Sequence, residues 1–70
     1  MDPKTSLYVV VDPRGVTLAY PTEAEAVEAL DGDMPPQTVR RTTFGEYLAE
    51  NPRGLVRLQS QYYWAEDLRY

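Results

Sequence analysis

The sequence predicts a small two-layer α+β domain, a mainly antiparallel sheet of three or four strands in the order ββα(β)αβ with two short helices on one face. Three observations carry that expectation. A β-branched N-terminal run is closed by Asp12-Pro13-Arg14-Gly15, two Thr-x-x-Glu boxes precede helical apolar spacing, and an alternating aromatic segment runs from Leu55 to Trp64. Seventy residues make one domain, 1–70, with no room for a second.

Thr5 to Val11 is β-branched and aromatic, and Val16, Leu18 and Tyr20 alternate along the next segment, so two strands flank the Asp-Pro-Arg-Gly turn. Pro fixes φ and Gly tolerates positive φ, which is what a type I turn followed by a left-handed residue requires. Pro21 ends the second strand. Thr22-Glu23-Ala24-Glu25 is a capping box: the Thr hydroxyl takes the amide three residues on, and Glu25 reaches back to the cap amide. A helix is expected from there to Gly32, with Ala26, Val27, Ala29 and Leu30 toward the core and Glu25, Glu28 and Asp31 on the opposite arc.

Asp33-Met34-Pro35-Pro36 reads as a stiff connector, and Gln37 to Thr42 as a short edge strand or an extended linker. A second box, Thr43-Phe44-Gly45-Glu46, opens a helix with Phe44, Tyr47 and Leu48 at i, i+3 and i+4, closed by Asn51-Pro52. Leu55 to Trp64 reads as one long strand, with Val56, Leu58, Tyr62 and Trp64 on a buried side and Tyr63 on the wet one. The pattern Asp/Asn-Pro-Arg-Gly recurs at 51–54, but the first copy follows a strand and the second a helix. Convergence on one good turn chemistry accounts for it.

The chain has no His and no Cys, which removes thiolate zinc sites, imidazole-activated nucleophiles and any disulfide. No cofactor is expected and no metal. An EF-hand starting at Asp31 would need ligands where Pro35 and Thr42 stand, and a glycine where Pro36 stands. No phosphate-cradling glycine loop is present, so an enzyme is not expected. The longest apolar run, Leu7 to Val11, is far too short to span a bilayer, and no signal-peptide core follows Met1. A cytoplasmic protein without membrane attachment is the expectation.

The formal charge is −4, and it is uneven: residues 1–35 hold seven acids against Lys4 and Arg14, whereas 36–70 hold four acids against five arginines. Glu near a helix N-terminus complements the macrodipole, which explains Glu23 and Glu25 without function. Glu28, Asp31 and Asp33 lie toward the other end, where negative charge is unfavourable. That acidic face suits a basic surface on a protein partner, such as a nucleic-acid-binding protein. Tyr63, Arg69 and Tyr70 are residue types that concentrate binding energy at interfaces. The candidate partner-binding set is therefore Glu25, Glu28, Asp31, Asp33, Tyr63, Arg69 and Tyr70.

Arg40, Arg41 and Arg57 beside Tyr62, Tyr63 and Trp64 resemble the mixture of cations and rings used on single-stranded nucleic acid. Adjacent strand residues diverge, however, and the net charge repels phosphate, so direct nucleic-acid binding is the weaker reading. In size and charge alone the chain resembles phage-encoded inhibitors of host machinery, including anti-CRISPR proteins and DNA mimics. That resemblance implies a stand-alone binding protein whose partner is basic. The competing reading is a housekeeping adaptor or a homodimer, the latter because so small a core supplies only about 3–5 kcal/mol by itself.

Overall fold

In the computed structural model, residues 1–11, 15–30 and 39–69 are described. Five strands and two helices follow one another as β1 (Ser6–Val11), β2 (Thr17–Tyr20), α1 (Glu23–Ala29), β3 (Arg40–Thr43), α2 (Phe44–Glu50), β4 (Leu55–Leu58) and β5 (Gln61–Trp64), and a 3-10 turn closes the chain over Ala65–Leu68. The α+β class is as the sequence predicts. The sheet has five strands, in the order β3-β1-β2-β4-β5, rather than three or four. It remains mainly antiparallel: β1 pairs with β2 and β3, and β4 with β5, in that sense, while β2 and β4 run parallel.

The first hairpin forms where expected, with Val11 opposite Thr17 at its mouth. Gly15 has φ +87°, the left-handed geometry the turn motif requires. Asp12, Pro13 and Arg14 lie outside the described residues, as do 31–38, which hold the expected glycine stop and proline connector. α1 ends earlier than predicted, because Leu30 turns extended and its amide donates to Val27 O at 3.1 Å. Its buried stripe is correspondingly narrow. Ala26 is enclosed and Leu30 half-buried, whereas Val27 and Ala29 face outward.

The two helices lie on opposite faces of the sheet, so the expectation of two layers with both helices on one side does not hold. Leu7, Val9, Ala19 and Val56 enter one cluster with Phe44 and Tyr47 of α2 and with Ala65. Val10 and Tyr20 enter a second cluster with Ala26 of α1, joined by Tyr8, Leu18, Leu30 and Val39. Successive strand residues point to opposite faces, and β1 has covered residues of both parities. Its continuous run Leu7-Tyr8-Val9-Val10 is what a strand covered on both sides needs, in place of strict alternation.

The segment from Leu55 to Trp64 is a hairpin, not one long strand. Gln59 and Ser60 both take positive φ, 51° and 67°, and form the two-residue turn. Leu58 then opposes Gln61, and Leu55 opposes Trp64. A two-residue turn puts Val56 on the same face as Tyr63, and Arg57 on the same face as Tyr62. The pairing of even with odd positions inverts the assignment made for an unbroken strand. Tyr62 and Trp64, expected inside, are 55% and 50% exposed.

At the parallel junction only Leu18 opposes Leu55 and Ala19 opposes Val56. Tyr47 of α2 reinforces it. The phenol oxygen lies 2.8 Å from Leu55 O and 3.2 Å from Thr17 O, bridging β4 and β2. Gly54 leaves room for that ring, since a Cβ there would overlap the Tyr47 phenol oxygen and ring carbon.

Candidate functional site

α1 lies over β1 and β2, and among the described residues no helix covers the same face of β4 and β5. Between the helix and the β4–β5 hairpin runs a groove of about 390 Å³, lined by Tyr20, Glu25, Glu28, Ala29, Arg57 and Ser60. The capping box fixes one wall. Thr22 Oγ1 accepts from Glu25 N at 3.2 Å and donates to Glu25 Oε2 at 3.0 Å, so this carboxylate returns to the cap hydroxyl rather than to the expected cap amide. Glu28, one turn on, is exposed. Both carboxylates therefore flank the groove rather than pointing straight away from the core.

Arg57 forms the far wall, its guanidinium carbon 5.4 Å from the centroid of the Tyr62 ring. The Tyr20 phenol at the base is buried, which raises its pKa above the ordinary phenol value; the nearby Tyr62 adds to the rise and Arg57 opposes it. Beyond the groove Trp64 continues the aromatic shelf, since it sits opposite Leu55, which in turn sits opposite Leu18 of the α1-side cluster. Trp64 also lines a second hollow of about 550 Å³ with Val16, Thr17 and Leu55. Carboxylates, a cation and exposed rings thus share one face.

Of the sequence-predicted set, the structure brings Glu25 and Glu28 together at this groove. Asp31, Asp33 and Tyr70 lie outside the described residues. Tyr63 is 37% exposed but sits opposite Val56, on the α2 face, where its hydroxyl donates to Gln61 Oε1 at 3.1 Å. Arg69 is exposed and donates from Nε to Glu66 O at 3.4 Å, directly after Leu68, which packs into the α2-side cluster. The candidate residues are thereby divided between two faces. Arg57 stands across the groove from these acids, and Tyr62 and Trp64 share its face of the sheet, placed there by a two-residue turn at Gln59-Ser60 whose residue types do not signal it.

The arginines proposed for nucleic acid do diverge. Arg40 pairs with Glu50 of α2 at 3.2 Å, while Arg41 on the other face reaches Ser6 Oγ at 3.5 Å. Among the described residues no group of three acidic, His or Cys side chains converges to hold a metal ion. No helix among them is long and apolar enough to cross a membrane. What the fold and its groove define is an α+β domain presenting an acidic wall beside an aromatic shelf. The chain matches no family model, no curated protein and no solved structure.

Proposed function

We propose that this chain is a non-enzymatic protein-binding protein whose groove between α1 and the β4–β5 hairpin receives a basic segment of its partner. One observation carries the reading: Glu25 and Glu28 line a groove closed on its far side by Arg57, and the half-exposed rings of Tyr62, which lies under Arg57, and Trp64 stand on the same face of the sheet. A lysine or arginine entering there pairs with the carboxylates of the α1 wall and is held to that wall by repulsion from Arg57 opposite, while the exposed rings on the same face are of the kind that anchors interfaces. The acidic row continues in sequence through Asp31 and Asp33. The resemblance in size and charge to phage-encoded inhibitors points to partners that themselves carry a basic, nucleic-acid-binding surface.

Titrating the isotope-labelled chain with a lysine- and arginine-rich peptide tests this by NMR. Shifts are expected at Ala29, Arg57, Ser60 and the Trp64 indole, weakening with salt and lost in the double variant Glu25→Gln, Glu28→Gln. An acidic peptide serves as control. Shifts confined to the α2 face, or equal in the wild type and the variant, would overturn the reading.

A further inference from the structure

The sheet has two edges of different character. β3 carries Arg40 and Arg41, both exposed, and charge on an edge strand discourages pairing with another chain. β5 is Gln61-Tyr62-Tyr63-Trp64, exposed throughout and without a charge, proline or glycine. We propose that β5 is the edge at which two copies of this chain pair, antiparallel, into one continuous sheet. This inference shares the Tyr62 and Trp64 rings with the groove reading but is argued from the strand edge and does not depend on it.

The backbone sets the register. Ala65 N donates to Gly54 O at 2.9 Å, so residue 65 directs its peptide groups toward β4. Alternation along the strand turns those of Gln61 and Tyr63 inward as well, and those of Tyr62 and Trp64 outward. Two copies related by a two-fold axis normal to the sheet keep matching faces on the same side. With the axis at Tyr63, Tyr62 of each copy opposes Trp64 of the other. All the outward N–H and C=O groups of Tyr62 and Trp64 then pair, giving four hydrogen bonds.

Side chains agree with that register. On the α1 face each Tyr62 ring meets a Trp64 ring, and on the α2 face Tyr63 meets its own copy, both favoured cross-strand aromatic pairs. A shift by two residues would set Trp64 against Ser60, which the turn holds at φ 67°. The paired segment itself carries no charge, and Glu66 and Asp67 lie past it in the 3-10 turn, so no like charges are opposed within it. The three rings expose roughly 350 Å² per copy, taking about 250 Å² for a fully exposed ring. That total lies below the size of a stable interface, so the dimer is weak and concentration-dependent.

Sedimentation of the full chain over a roughly hundredfold concentration range, with amide exchange measured at both ends, tests the proposal. The expected result is monomer at the low end, dimer at the high end, and slowed exchange of the Tyr62 and Trp64 amides only in the dimer. Tyr62→Pro removes an outward donor that β4 does not use, and should hold the chain monomeric with its melting temperature kept. Tyr63→Lys sets two cations at the axis and should do the same without touching the backbone. A chain monomeric at every concentration overturns the proposal, as does a dimer that survives both substitutions or protects Arg40 to Thr43 instead.

Discussion

Replacing Tyr47 by Phe isolates the contribution of one hydroxyl at the weakest seam of the sheet. β2 and β4 share two paired positions, and the Tyr47 phenol spans them from above with its shorter contact, 2.8 Å, to Leu55 O. Loss of that bond should cost about 1 kcal/mol near pH 8, or about 4–8 °C in melting temperature for a domain of this size. The pH dependence makes the test specific. Burial pushes the Tyr47 pKa up to about 12, against a smaller lowering from the Leu55 carbonyl contact.

A folded-state pKa above the unfolded value near 10 means that the native chain holds this proton more tightly than the unfolded one. The associated stability is complete below pH 10 and is lost as pH rises toward 12. At pH 11 the wild type should have lost about 1.4 kcal/mol through this residue, and Tyr47→Phe nothing. Tyr20 titrates in both proteins and cancels from the comparison. Urea melts followed by circular dichroism should therefore show a gap of about 1 kcal/mol at pH 8 that closes by pH 11. A gap of equal size at both pH values would refute the assignment of the shifted group.

Gly54→Ala should destabilise by about 1–3 kcal/mol in the same melts, because the new methyl group must displace the Tyr47 ring and also crowds the Asn51 side chain. Cutting the chain after Asp67 removes Leu68, which packs on the α2-side cluster and whose carbonyl accepts from the Met1 amine at 2.6 Å; a fall of several degrees in melting temperature is expected. Single-stranded DNA or RNA should give no shift in fluorescence anisotropy at physiological salt, because the net charge is −4 and Arg40 is already paired with Glu50. Binding at micromolar concentration would reverse that ranking.

The parts of the fold that are legible in the sequence are those marked by local backbone chemistry. Both capping boxes place their threonines as caps, with Glu25 N and Glu46 N donating to Thr22 and Thr43, and the first hairpin turns on a glycine of positive φ. Arg40 to Thr42 of the ambiguous polar stretch form an edge strand together with the cap residue Thr43. The distribution of helices between the two faces is not local. It was nevertheless written in β1, where a covered Val10 follows a covered Val9, a pattern that only a strand with layers on both sides accommodates.

The candidate site departs from the sequence expectation for a reason confined to two residues. Gln59 and Ser60 adopt the positive φ values that hairpin turns usually assign to Asn and Gly, so nothing in their chemistry announces a reversal. Without it, alternation groups Tyr62 and Trp64 with Val56 and places Tyr63 outside. With it, every residue after the turn changes face. Tyr62 and Trp64 move to the side of Glu25 and Glu28, and Tyr63 moves to the side of α2. On the hairpin side the groove is lined by Arg57 and Ser60, with Tyr62 and Trp64 on the same face, and substitutions at Tyr63 report on the opposite face of the sheet. Variants on the two faces can be assigned to separate surfaces by that geometry alone.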